Sequence, residues 1–309
     1  MGTEPEKIDF RGKVAVITGA GAGLGKVYAL ELAKLGAKVL VNDVGRALDG
    51  SGDASPKQAD RVVEEILALG GEALANYDSV ATAVGGRSIV SMAVESFGRL
   101  DIVINNAGIL RDRTLVKMEP DDWSDVINVH LAGAYNVTRP AFVKMREIGY
   151  GRIVFATSAA GLYGTFGQSN YSAAKMGLVG FMNTLKLEGE KHNVKVNAVA
   201  PIAGTRMTKD ILPIDLFARL KPEFISPLVL YLCSEKCPVS GSVYNAGMGY
   251  FNRVAIVTGP GMIVGGGAKV PSLEDIHEHW EGINDMSNGK EFPNASMAFG
   301  SMMVDFNRK

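Results

Sequence analysis

A tyrosine and a lysine four residues apart, Tyr171 and Lys175 in "NYSAAKMGLVGF", are the pair in this 309-residue chain best suited by type and spacing to move a proton. On a helix that spacing sets both side chains on one face, with Cβ atoms about 6 Å apart. A free phenol, with a pKa near ~10, is a poor base at neutral pH. An ammonium held about 4 Å from the phenolate contributes on the order of 4 kcal/mol at an effective dielectric of about 20, or roughly 3 pKa units before desolvation is subtracted. The expectation is a phenol drawn toward working pH and fit for general acid/base catalysis. Ser158, which closes the run "RIVFATS", could donate its hydroxyl to a substrate oxygen and hold it within reach of Tyr171. Taken singly, Ser158 also serves as a turn residue, Tyr171 as a packing aromatic and Lys175 as a solvated helix position.

A second constellation lies near the amino end, where Thr18-Gly19-Ala20-Gly21-Ala22-Gly23-Leu24-Gly25 runs straight into a helical pattern. Glycines at 19, 23 and 25, with Leu24 between the last two, permit a tight turn, close approach of the backbone to a pyrophosphate, and close packing of a helix whose free N–H groups face the phosphates. Asp43 stands at the end of the next strand-like run. A carboxylate there accepts hydrogen bonds from ribose hydroxyls and repels a 2′-phosphate, which favours NAD over NADP. Arg46, close by, is the residue that would favour the phosphate instead. The near-repeat "VAIVTGPG" at 254–261 fails the same test, because Ile263 stands where Gly23 does, Pro260 interrupts the turn and Pro271 precludes a following helix of any length. One cofactor site is expected.

These residues need elements to hold them. Short β-branched runs at 13–18, 38–43, 72–77, 101–106, 152–157, 194–199 and 241–247 alternate with amphipathic stretches such as 59–70. That alternation predicts an α/β fold, a Rossmann-like doubly wound parallel sheet with helices on both faces and the ligand at the carboxyl ends of the strands. The polar stretch "VGRALDGSGDASPKQ" (44–58) follows the second strand and falls beside the expected adenosine site. Regular alternation stops near residue 250, so residues 1–250 read as the cofactor-binding and catalytic domain. Residues 251–309 read as a C-terminal extension packing on that domain or on a partner subunit, with Ser272 as the N-cap of a helical "SLEDIHEHWEGI".

Composition narrows the partners. A net charge of −1 with both signs interspersed gives no electrostatic footprint for nucleic acid or an anionic membrane. No apolar run is long enough to span a bilayer. Cys233 and Cys237 lack the second pair of a zinc site, and His130, His192, His277 and His279 form no ligand set, so no metal is assigned. The polar, acidic amino end carries no secretion or transit signal, and cytoplasm is the residual expectation.

Taken together, "TGAGAGLG", "NNAG" at 105–108, Ser158 and Tyr171-x-x-x-Lys175 resemble the short-chain dehydrogenase/reductase family over about residues 10–250. The resemblance implies a tyrosine acid/base, a lysine that lowers its pKa and holds the nicotinamide ribose, and a serine that orients the substrate. It also implies that Asp78 lies near the adenine and that Asn106, Ala107 and Gly108 line the cofactor cleft. The backbone of Ile202 and the hydroxyl of Thr205 would meet the nicotinamide carboxamide. Seven residues past Trp123, where the family carries an asparagine of a proton relay, this chain has His130; both a relay role and simple packing are open. Within the family, "NNAGILRDRTL", "YGRIVFATSAAGLYGTFGQSNYSAAK" and "LKPEFISPLVLYLC" are similar to (3R)-hydroxyacyl-CoA dehydrogenase domains. That implies an acyl-CoA-type substrate, a homodimer and a separate hydratase acting upstream, with Leu162, Tyr163, Met207 and the tail lining the acyl pocket. A hydroxysteroid or other secondary-alcohol dehydrogenase or ketoreductase without CoA shares all these residues, and a non-catalytic NAD-binding regulator is the reading of another class.

Overall fold

The structure is a computed structural model that describes residues 7–204, 219–267 and 269–307. Its described residues fall into two compact units, one ending at Arg253 and one beginning at Val254. The first unit carries an eight-stranded sheet: β1 (Val14–Thr18), β2 (Lys38–Asn42), β3 (Glu72–Asn76), β4 (Ile102–Asn105), β5 (Gly151–Ala156), β6 (Val194–Pro201), β7 (Val243–Gly247) and β8 (Tyr250–Val254). The order is β3-β2-β1-β4-β5-β6-β7-β8, and the strands from β3 through β7 pair in parallel. Every residue of β1 is buried, as expected where helices cover both faces of a parallel sheet. Strand order reverses between β1 and β4, and a crevice opens there at the carboxyl ends.

The helices follow from their patterns. They are α1 (Gly23–Lys34), α2 (Lys57–Ala68), α3 (Ala83–Phe97), α4 (Pro120–Ile127), α5 (Gly133–Ile148), α6 (Ala159–Tyr163), α7 (Ser169–Gly189) and α8 (Ser226–Cys233). In α2, buried Ala59, Val62 and Ile66 recur at three and four residues, the stripe that packs on the sheet. Between α4 and α5 the chain makes a π turn over Asn128–Ala132. Such turns widen the helix locally and re-aim one side chain, here His130.

β8 is the strand that sequence patterning misses. It follows β7 through the two residues Met248 and Gly249, whose φ values of 51° and 78° are both positive. That is the two-residue turn whose twist matches a hairpin, and Met at its first position hides the usual Asn-Gly signal. In the second unit Ser272 caps α9 (Leu273–Glu278), its hydroxyl accepting from the Asp275 amide while the Asp275 carboxylate accepts from the Ser272 amide. Short α10 (Trp280–Ile283) and α11 (Ala295–Asn307) follow. The near-repeat at 254–261 enters no βαβ unit: Thr258 pairs with Lys290 in an isolated antiparallel bridge. No helix among the described residues is long and apolar enough to cross a membrane.

Candidate active site

The crevice at the β1/β4 reversal is a cleft of about 670 Å³ lined by Gly19, Gly23, Leu24, Asp43, Asp78 and Asn106–Gly108, among others. Its floor is the glycine loop. Gly19 has φ +63°, and a Cβ there would stand 2.8 Å from the Ala107 Cα; a Cβ on Gly25 would stand 2.4 Å from the Gly19 carbonyl oxygen. Only glycine lets the loop, the first turn of α1 and the segment that follows β4 approach this closely. Ala22, at the N-cap of α1, supplies no side-chain acceptor, so no cap occupies the donors of the first turn. The residues present therefore fit a dinucleotide pyrophosphate.

Hydrogen bonds hold this floor in place. Asn106 Nδ2 donates to the carbonyls of Thr18 and Gly19, both at 3.1 Å, and the amides of Asn106 and Ala107 both donate to Thr18 Oγ1. Asp43 accepts from Gly21 N through Oδ2 (2.9 Å) and from Gly45 N through Oδ1 (2.7 Å). This carboxylate thus shapes the loop as well as facing the cleft. Asp78 is steadied by Asn76 Nδ2 on its carboxylate and by Asn42 Nδ2 on its carbonyl.

The proton-handling residues lie beyond the cleft. Ser158, at the end of β5, is the N-cap of α6 and accepts from Ala160 N at 3.1 Å. One turn of α7 brings Lys175 Nζ to 5.4 Å from the centre of the Tyr171 ring. Lys175 is 4% exposed, and its ammonium donates to the Ala156 carbonyl at 2.5 Å. Burial draws its pKa down to about 7. Burial also pushes the Tyr171 phenol above its ordinary value; a hydrogen bond from Ser158 opposes the rise and the Asp112 charge adds to it. The sequence expectation that Lys175 lowers the phenol's pKa is corrected here. Desolvation is the largest cause acting on the phenol, and the Lys175 ammonium is not among the causes.

His130 is 3% exposed, and its ring meets Tyr171 edge-on with centroids 5.1 Å apart. Nε2 contacts both the amide and the carbonyl of Ile109, at 3.1 and 2.8 Å, while the buried Nδ1 has no partner. Burial first and the Lys175 charge second hold its pKa at about 3, so the ring is neutral at physiological pH. A water-sized cavity touches both His130 and Lys175. A Cβ on Gly108 would lie 2.3 Å from the His130 ring, which explains a glycine at that position.

Of the two residues expected at the carboxamide, Ile202 donates its amide to the Ala246 carbonyl at 2.8 Å. That amide is used inside the sheet, which leaves the Ile202 carbonyl as the backbone group for a carboxamide. Thr205, and Met207 of the expected acyl pocket, lie outside the described residues. Tyr163 is 67% exposed at the end of α6, with Leu162 half-buried before it.

Sequence reading missed Asn170. It is fully buried, its Nδ2 donating to the carbonyls of Arg111 and Asp122 and its Oδ1 accepting from Tyr171 N at 2.7 Å. It fixes the first turn of α7 and so the tyrosine. An asparagine beside a tyrosine carries no such signal, because its partners lie 48 and 59 residues away.

Comparison with known proteins agrees with this geometry. Residues 13–213 match the family model described as short chain dehydrogenase. A short-chain type dehydrogenase/reductase of Mycobacterium tuberculosis is 52% identical over 278 residues, covering 90% of this chain and 96% of that one. The peroxisomal multifunctional enzyme type 2 of Drosophila melanogaster is 45% identical over 304 residues, and this chain spans 50% of its length. The full-length structure of that enzyme superposes with a TM-score of 0.83 at 39% identity over 97% of this chain and 50% of that one. A hydroxyacyl-CoA dehydrogenase of M. tuberculosis is 39% identical over 272 residues, 82% of each chain. On the matched residues, the glycine loop at the strand reversal and the paired Tyr171 and Lys175 behind it, the chain belongs to the short-chain dehydrogenase family.

Proposed function

We propose that this chain oxidises a (3R)-hydroxyacyl-CoA to the 3-ketoacyl-CoA with NAD. The observation that carries the reaction is the pairing of Tyr171 with the buried Lys175 one turn along α7, with Ser158 capping α6 and a cleft shaped for a dinucleotide alongside. The acyl-CoA class is supported by the names of two relatives, a hydroxyacyl-CoA dehydrogenase and a peroxisomal multifunctional enzyme.

Ser158 and Tyr171 together hold the oxygen of the substrate alcohol. Tyr171 in its deprotonated form, which the Ser158 hydroxyl favours against the opposing effect of burial, takes the hydroxyl proton as the C3–H bond breaks. A nicotinamide, when bound, supplies the acceptor for the hydride. Lys175 has donors beyond the one given to Ala156, and these steady the phenolate and reach a ribose hydroxyl. His130, neutral with Nδ1 facing inward, serves as an acceptor in a relay through the small cavity it shares with Lys175. Asp43 at the ribose end supports NAD over NADP.

A homodimer is part of the proposal, supported by half-exposed Tyr135, Val143 and Ile148 on α5 and Met176 and Leu187 on α7. A 3-hydroxyacyl thioester is the product of adding water to an enoyl thioester, so a hydratase acts upstream. The experiment is NADH formation by purified protein with (3R)- and (3S)-hydroxyacyl-CoA thioesters of short, long and steroid-bearing acyl groups. Turnover confined to (3R) thioesters supports the reading; turnover of free steroids or secondary alcohols with no thioester activity overturns it.

A further inference from the structure

Residues 44–56, after β2, form a closed loop over the cleft. Its base is pinched where Ser55 N donates to the Val44 carbonyl, and a turn inside it is closed by Gly50 N on the Ala47 carbonyl. Compact loops whose ends meet in this way are commonly functional. Val44, Arg46, Ala47, Leu48, Gly50 and Ala54 all line the 670 Å³ cleft, so the loop is one of its walls.

The tip of this loop is clasped by the segment that leaves β4. Leu110 N donates to the Leu48 carbonyl at 3.1 Å, and Arg111 Nε donates to the Asp49 carbonyl at 2.9 Å. The same guanidinium pairs through Nη1 with Asp125 of α4 at 2.8 Å, which holds it in position. The Ile109 side chain reaches the same loop, its Cδ1 3.4 Å from where a Cβ on Gly50 would stand, while its backbone rests on His130. Arg111 also gives its carbonyl to Asn170, the residue that orients Tyr171. A single three-residue stretch therefore joins the loop over the nucleotide end to the residues around the tyrosine.

We propose that the 44–56 loop is a strap over the bound dinucleotide, and that Arg111 is the positioning residue that latches it and sets how fast the nucleotide leaves. This rests on the reading of the cleft as a dinucleotide site. Opening the wall requires the Leu48 and Asp49 carbonyls to part from residues 110 and 111, and the charge-assisted Arg111 bond is the stronger of the two. Strap opening then stands in the path of nucleotide release, the step that limits many enzymes with closing loops.

The test is NADH release from the full chain, followed by stopped-flow fluorescence while excess NAD displaces it. Four proteins are compared: wild type, Arg111→Ala, a variant with residues 47–53 replaced by two glycines, and the double variant. Loss of one charge-assisted bond predicts release about tenfold faster in Arg111→Ala. The shortened strap, which keeps Arg111, should release NADH at least as fast. Because latch and strap act as one device, the double variant should be no faster than the shortened strap alone; a purely structural arginine would add its own effect. Unchanged release in Arg111→Ala, or effects that multiply in the double variant, overturns the latch. Should wild type bind no NADH at all, the dinucleotide reading fails and the latch with it, whereas binding that all variants share unchanged defeats the latch alone.

Discussion

Strand β5 has a buried cation at each end, and the two are kept in opposite ways. Arg152, at the amino end, is 2% exposed and donates to the carbonyls of Ser234, Gly151 and Asn193 at 2.8–3.0 Å while its guanidinium lies 4.3 Å above the Tyr150 ring. Lys175, beneath the carboxyl end, is 4% exposed and bonds one carbonyl, that of Ala156. Neither is matched to a carboxylate by an ion pair among the described residues. A buried charge is tolerated when its donors are met. Arg152 meets that condition and ties β5 to its surroundings; Lys175 falls short of it, and its pKa of about 7 records the cost. The under-satisfied end is the end that carries Ser158, Tyr171 and His130. The lesson is that stability and chemistry are assigned to opposite edges of one sheet.

The sharpest way to break this comparison is Tyr171→Phe. It should lower turnover by about 10³-fold or more while NADH affinity and melting temperature stay near wild type, read by steady-state rates, fluorescence titration and calorimetry. Retained turnover would remove the tyrosine from its role.

Lys175→Met addresses the cost directly. Folded Lys175 titrates near 7 rather than at its ordinary 10.5, so between those values the unfolded chain binds more protons and stability rises with pH. The penalty is fully present below pH 7, on the order of 5 kcal/mol, and is gone above about 10.5. Chemical denaturation from pH 6.5 to 10 should show that rise in wild type and a flatter curve in Lys175→Met, with activity lost at every pH. Identical slopes in the two proteins would mean the lysine is solvated.

At the other end, Arg152→Leu leaves the carbonyls of Ser234 and Asn193 without this donor. Stability should fall by about 3 kcal/mol, measured by urea denaturation, while kcat per folded molecule is unchanged. A selective loss of kcat would erase the division between the two edges.

The smallest effect is expected of Asn170→Ala, which removes the acceptor on Tyr171 N and both donors to Arg111 and Asp122. A misplaced tyrosine should cost about tenfold in kcat with little change in the KM for NAD. An equal rise in the KM for NAD would instead tie Asn170 to the nucleotide end.

Much of this architecture was legible along the chain. The seven parallel strands follow runs of apolar β-branched residues, the glycine loop follows its spacing, and Tyr171 and Lys175 follow from one turn of helix. These are local facts: 3.6 residues per turn or two per pleat fix them whatever else the chain does. β8 was hidden because Met248 takes a positive φ that its side chain does not advertise. What the fold alone decided are quantities set by distant neighbours. Depth of burial, which inverted the expected shift at Tyr171 and made Lys175 and His130 neutral-leaning, depends on helices from elsewhere in the chain packing over them. The Arg111 clasp on Asp49 spans 62 residues, and Asn170 finds its partners across 48 and 59. Sequence supplied the groups and their local spacing; desolvation and long-range partners, which exist only once the layers close, decided what those groups can do.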